Sequence, residues 1–453
     1  MQVPRLEREL GMEVYASRSP GVDGWIRQFP EDFVVEEVLV DGTKAEVRTA
    51  EIEPPTGIGR YLVCLLIKRD WDTLLAIREV AKQLGMSHER IQIAGMKDAK
   101  ALTAQHITIS RITPDQLSQV KIKDVALHPL YYSSKKVSSK LLLGNQFHIL
   151  VRGISHAPDI IKHRIEGAQS ELSNVGGLPN FFGHQRFGTI RPITHLVGRF
   201  LVQEDFEKAA LTFLAEPSPH EHPESREARQ QLHDTGDFKE ALRSFPRFLK
   251  YEHMMLSHLA RQPRDFLGAF RRLPLKLRRL FVQAYQSFMF NKSLSKRIRR
   301  RIPLNTTQTG DYAVELDSHG LPVASITQVT AQSMRSVQKA IDEKKMCVAI
   351  PLIGFEQNPS GGVQGEIERE LLETENLTAK DFKVLSMPEI SAPGGLRTVL
   401  TPVLNPSIED LSEDQANPSK RALKLGFLLH RGSYATVLLR EFMKPQDLIK
   451  AGF

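Results

Sequence analysis

The stretch Ile93–Gln105, IAGMKDAKALTAQ, runs from the end of one apolar strand through a glycine bend into a second strand. A turn needs the glycine and tolerates the aspartate. It has no need of Lys97, Thr103 or Gln105. Working outward, RIQIAG and QHITISR read as short strands, the second alternating Ile107 and Ile109 with polar neighbours. Upstream, DTLLAIREVAKQLG carries Leu74, Ile77, Ala81 and Leu84 at helical spacing, with Asp72 or Thr73 as cap and Gly85 as stop. FVVEEVLV and RYLVCLLIKR add two strands, and NQFHILVRG a third with Phe147, Ile149 and Val151 on one face. A helix follows from Pro158 with a stripe of Ile161, Ile165, Ala168 and Leu172, ending at Gly176-Gly177. The layout is α+β with a mixed or antiparallel sheet.

After GGLPN the signals turn mostly helical from about Asn180 to about Leu377, with polar loops at Glu216–Ser225 and Asn358–Gly365. Strand signals return beyond Ala392 in RTVLTPVL, ALKLGFLLH and SYATVLLREFMK. This order predicts a sheet domain in two pieces, residues 1–179 and 393–453, split by an inserted, mostly helical domain over 180–392.

The chain has 453 residues, a formal net charge of +8 and a pI near 9.3, a balance that suits a polyanionic partner. Its two cysteines, Cys64 and Cys347, stand in apolar runs, which excludes a disulfide framework or a cysteine-rich zinc site and suits two buried small hydrophobes in a reducing cytoplasm. The N-terminal residues lack the apolar core of a signal peptide, and YLVCLLI is far shorter than the roughly 20 residues of a membrane helix. The expectation is a cytoplasmic chain without a membrane segment. No phosphate loop, dinucleotide fingerprint, zinc-protease helix or nucleophile elbow occurs, and His220 and His222 sit in a polar loop without a third ligand nearby. Nothing in the chain calls for a metal, nucleotide or flavin, so no cofactor is expected.

Three segments could carry function. Arg271–Ile302 holds 11 Lys or Arg and no acidic residue. As a helix it would bury Leu277, Phe281, Ala284 and Phe288 and turn cations such as Arg278, Arg279, Lys292 and Arg297 toward phosphates. Alternatively its charges pair with acidic segments elsewhere. NFFGHQRFG (Asn180–Gly188) offers Phe182 to stack on bases, with Gln185 and Arg186 beside it, or else aromatics that simply fill a core under a turn. Asp98 is either a cap with a solvated Lys97 for neighbour, or a carboxylate kept ionised by a nearby cation and ready to act as nucleophile or base.

Together, five blocks resemble the TruD family of tRNA pseudouridine synthases, in its archaeal-like form. They are IRQFPEDFVVEE (Ile26–Glu37), AGMKDAKALTAQ (Ala94–Gln105), GNQFHILVR (Gly144–Arg152), NFFGHQRFG and GSYATVLLREFMK (Gly432–Lys444), with QSFMFNKSLSKRI (Gln286–Ile298) fitting the family's inserted domain. The resemblance implies a pseudouridine-synthase catalytic core with a central, largely antiparallel sheet, an inserted family-specific domain and a basic cleft for RNA. It implies that Asp98 is the catalytic aspartate of an isomerase acting on a uridine of tRNA, position 13 being the family's site, without cofactor. Arg27 matches the family's basic partner of that aspartate, usually Lys. Lys97 adds positive potential, Phe147 matches the aromatic that stacks on the target base, and Asn145 its polar neighbour. The family's NYFG is NFFG here, so Phe181 lacks a hydroxyl, and LP-x-GS is replaced by a sequence with His430 and Arg431. tRNA is the implied partner of a monomer with no protein partner. The competing reading is a non-catalytic RNA-binding or RNA-chaperone protein using the same basic cleft, which would not need Asp98. A methyltransferase is disfavoured by the missing nucleoside-cofactor loop.

Overall fold

A computed structural model describes residues 2–47 and 53–453. Two compact units emerge. One comprises Ser19–Leu178 and Thr401–Gly452, the other Met1–Arg18, Pro179–Leu400 and Phe453.

The first unit is built on an eight-stranded mixed sheet. Its strands are β1 (Phe33–Leu39), β2 (Tyr61–Arg69), β3 (Ile91–Ile93), β4 (Leu102–Ser110), β5 (Val125–Ser133) and β6 (Leu142–Ile154), completed by Val403–Glu413 and Arg421–His430. The order is Val403–Glu413, Arg421–His430, β6, β1, β4, β2, β5, with β3 added beside β4. Only β1 and β4 run parallel, and every other pairing is antiparallel. The fold class is therefore α+β with a central mixed, largely antiparallel sheet. Register sets Lys68 opposite Thr103, Thr103 beside Val35, Val35 opposite Phe147, and Phe147 opposite Phe427. Paired residues share a face, so one row of side chains crosses five strands.

The helix Thr73–Gln83 packs Ile77, Val80 and Ala81 onto Leu62, Cys64, Leu66, Ile107 and Ile109. Asp72 caps it, accepting from the backbone N–H groups of Leu74 and Leu75. Leu74, expected in the buried stripe, is 48% exposed, and Ala76 and Val80 occupy the inward positions instead. Cys347 is only half-buried, unlike Cys64. The helix Pro158–Val175 buries the four residues of its predicted stripe and stops at Gly176 in the left-handed region. SYATVLLREFMK, expected as a strand, is a helix over Ala435–Met443 with all nine residues buried. A helix covered on every side shows no amphipathic period, and its β-branched residues mimic a strand.

The second unit is mostly helical, with a four-stranded sheet ordered Gly395–Thr398, Met346–Leu352, Tyr312–Leu316, Pro322–Gln328. Its long helix, Leu275–Arg299, is buried along most of its length. Residues 1–18 group with this unit, not with the sheet segment that the sequence suggested. They are held there by Asn291, whose Nδ2 donates to the Leu10 carbonyl, and by a Lys292–Glu13 ion pair. The chain returns to the large sheet after Leu400 and not at 393, because Gly395–Thr398 still pairs with Met346–Leu352.

Candidate active site

Asp98 stands in the segment between β3 and β4, and each residue from Gly95 to Asp98 except Met96 is tied down by a different element. The Gln105 amide of β4 donates to the Gly95 carbonyl at 3.1 Å. Thr73 Oγ1, at the start of a helix, accepts from the Lys97 N–H at 3.2 Å and donates to the Lys97 carbonyl at 3.3 Å. The buried Lys68 ammonium of β2 donates to the Asp98 carbonyl at 2.6 Å and to the Trp71 carbonyl at 2.7 Å. Met96 alone projects outward.

The Asp98 carboxylate remains partly open, its side chain 32% exposed, and meets Arg27 Nη2 at 3.1 Å. Arg27 arrives from the chain before β1. Trp25 exchanges both backbone hydrogen bonds with Arg152, and Ile26 N–H donates to the Ala451 carbonyl. This seat requires Gly153, since a Cβ there would meet the Trp25 ring at 2.0 Å in a backbone with φ +72°. Arg27 itself has φ +60°, a left-handed conformation uncommon outside glycine and asparagine and often found where surrounding structure enforces it at functional sites. Its Nη1 donates to the Gly452 carbonyl at 2.8 Å, and its guanidinium lies 3.9 Å from the centre of the Phe33 ring. Burial lowers the Arg27 pKa while Asp98 opposes the shift. The outcome is a rigid cation fixed against one carboxylate oxygen, leaving the other free to react.

Lys97 does not face this carboxylate as expected. Its ammonium points beneath the loop to Glu37 Oε2 at 2.6 Å, both side chains being almost fully buried. Glu37 Oε1 also accepts from the His106 N–H at 3.0 Å. Burial pushes the Glu37 pKa up, but the bonds from His106 and Lys97 outweigh it and hold the group below the ordinary carboxylate range. The second cation near Asp98 is Lys68, which the sequence analysis missed. A signal was present: in YLVCLLIKR, Leu62, Cys64, Leu66 and Lys68 share one parity, so an inward strand face ends in a lysine. Burial lowers its pKa to about 8, against the opposing pull of Asp98.

Asn145 pairs with Glu37 across the sheet, and its Oδ1 is buried without a hydrogen-bond partner among the described residues. Phe147 departs from its expected role. It is 4% exposed, stacked on Phe427 at 5.3 Å and met edge-on by Phe33, so its ring is part of the core and presents no open stacking face. Arg431 fastens the turn before β6 through the Ser139 and Leu142 carbonyls.

The residues proposed for RNA contact lie in the other unit, and most are engaged internally. Phe182 is buried under the Arg397 guanidinium, 4.0 Å from its ring centre, and Phe181 is fully buried. Arg186 donates to Ser287 Oγ, while Gln185 is exposed. Arg278 pairs with Glu389, and Arg279 Nε donates to the Glu389 carbonyl. Lys292 pairs with Glu13. Arg297 is wholly buried in a bidentate pair with Asp311, with two 2.7 Å bonds. It cannot serve as a surface phosphate contact. Of the segment's 11 Lys and Arg, Arg278, Lys292, Lys296, Arg297, Arg299 and Arg300 pair with glutamates and aspartates from elsewhere in the chain, while Arg271, Arg272, Lys276 and Arg301 are exposed. Among the described residues no group of three or more His, Cys, Asp or Glu is placed to hold a metal, and no helix is long and apolar enough to cross a membrane.

The family model of tRNA pseudouridine synthase D (TruD) matches residues 9–442. The chain belongs to the TruD family. Relatives named "probable tRNA pseudouridine synthase D" include those of Methanosarcina barkeri, 40% identical, and Methanosarcina acetivorans, 41% identical, each over 99% of both chains. A crystal structure of a protein named for tRNA pseudouridine synthase D (TruD), from Methanosarcina mazei, superposes with a TM-score of 0.81. It is 39% identical, covering 98% of this chain and 99% of that one. Whole-length matches to TruD proteins make the Asp98–Arg27 pair the natural candidate for chemistry.

Proposed function

We propose that the chain is an isomerase that converts a uridine of tRNA, at position 13, to pseudouridine through Asp98. The observation that carries this reading is the Asp98–Arg27 pair at 3.1 Å, on a clamped loop of a TruD-family chain. The reaction breaks the bond from N1 to ribose C1′ and forms one from C5 to C1′. The C5 proton departs and N1 gains a proton, so atoms balance without an added reactant. An ionised Asp98 serves either route, attack on C1′ or removal of the C2′ proton to form a glycal. Arg27 holds one carboxylate oxygen at 3.1 Å, and the unpaired Asn145 carbonyl offers a hydrogen-bond acceptor in the next row of the same sheet face. The target uridine must leave its stack to reach a strand-end carboxylate. The enzyme acts in the cytoplasm as a monomer. Simple RNA binding gives no reason to clamp Asp98 so thoroughly.

The test is tritium release from tRNA transcribed with 5-tritiated uridine, for wild type and Asp98→Asn side by side. Release by wild type alone is expected, with tRNA affinity of the variant within a few-fold. An active Asp98→Asn would remove Asp98 from the chemistry, and no release from either protein would favour a binding role.

A further inference from the structure

We propose that Lys68 is a positioning residue for the isomerisation: its buried ammonium fixes the Asp98 backbone and thereby the place of its carboxylate. The inference rests on the assignment of Asp98 as the reacting group.

Three observations lead to it. The Lys68 side chain is 0% exposed at the end of the otherwise apolar inward face of its strand, where a neutral residue would be far less costly to bury. Its ammonium serves two carbonyls, Asp98 at 2.6 Å and Trp71 at 2.7 Å, and so joins the start of one loop to the reactive residue of another. The lysine adjacent to Asp98 in sequence is already committed to Glu37. Lys68 and Arg27 are thus the cations that face Asp98, one from β2 on its backbone side and one from the segment before β1 on its carboxylate side. The other charged groups acting on Lys68 are Asp72 and Asp70, which favour its charged form, and Lys97, which opposes it.

The fixed geometry matters because a reacting group displaced by about 1 Å can lose on the order of a hundredfold in rate.

Two variants separate charge from tethering: Lys68→Gln keeps amide donors for the carbonyls but removes the charge, and Lys68→Met removes both. Each is assayed by single-turnover tritium release across the acidic pH range, with tRNA affinity, circular dichroism and an Asp98→Asn control measured alongside. Both variants are expected to slow the single-turnover step by roughly tenfold or more. Affinity should stay within a few-fold. An unchanged single-turnover rate in either folded variant overturns the proposal, as does a loss confined to affinity. If Lys68→Met fails to fold, Lys68→Gln decides alone. If Lys68→Gln also fails to fold, Lys68 is a structural residue and the proposal falls. An active Asp98→Asn protein identifies failure of the Asp98 assignment instead.

Discussion

Lys97 Nζ lies 2.6 Å from Glu37 Oε2, and neither side chain is more than 2% exposed. The pair joins β1 to the underside of the loop whose next residue is Asp98. A residue adjacent to Asp98 in sequence therefore acts as a structural anchor, and the groups that meet Asp98, Arg27 and Lys68, come from positions distant in the chain.

Glu37→Gln should destabilise the protein by about 3–5 kcal/mol, because it leaves the Lys97 charge buried and uncompensated. The double variant Glu37→Gln with Lys97→Met removes both charges and should recover at least half of that loss. Urea unfolding of the three proteins checks both statements. Equal stability of the single variant and wild type would show that the pair contributes nothing.

Arg27→Lys should keep activity within about tenfold, since it retains a cation but loses the fork that spans Asp98 and the Gly452 carbonyl. Arg27→Met should lose on the order of a hundredfold, because the Asp98 carboxylate loses the fork that orients it. Single-turnover tritium release distinguishes the two. An Arg27→Met enzyme as active as Arg27→Lys would mean that the cation at position 27 does not contribute to the reaction.

How much of this was readable beforehand depends on how each element is covered. Pro158–Val175 has one buried face, so its stripe was visible as spacing, whereas Ala435–Met443 is enclosed on all sides and left no period to read. The Asp98–Arg27 pair spans 71 positions, and no local pattern predicts such a contact; only the resemblance joined the two blocks. The Arg271–Ile302 segment misled in part because an absence of local acids says nothing of distant ones, and Glu13, Asp311, Glu370 and Glu389 answer several of its cations. Lys68 was hidden because a lysine closing an apolar strand reads as an edge residue with its ammonium in water.

Acid should weaken the sheet through Glu36. Burial raises its pKa, but bonds from His148, Lys44 at 2.6 Å and the Val47 N–H dominate and hold it down to about 2. A carboxylate whose folded pKa is depressed stabilises the fold above its ordinary range, and that stability is lost as pH falls through about 4.5 toward about 2. The contribution is on the order of 2–3 kcal/mol. Glu36→Gln should be less stable at neutral pH and show a flatter acid dependence in urea unfolding between pH 5 and pH 2.5. An unchanged slope would remove Glu36 as a source of acid lability.

Arg297 separates fold from RNA binding on the long helix. Its guanidinium is fully buried against Asp311 and accepted by Gln364 Oε1 and the Pro303 carbonyl. Arg297→Met strands the Asp311 carboxylate, so unfolding should become easier by about 3–5 kcal/mol. Because a buried cation releases no counterions from RNA, the slope of log affinity against log salt for tRNA should stay that of wild type, whereas a true phosphate contact would lower it by about one. Urea unfolding and a salt titration of tRNA binding, run on the same preparation at a temperature where the variant is folded, measure both. A salt slope reduced by about one with stability unchanged would return Arg297 to the RNA-binding surface and contradict its burial.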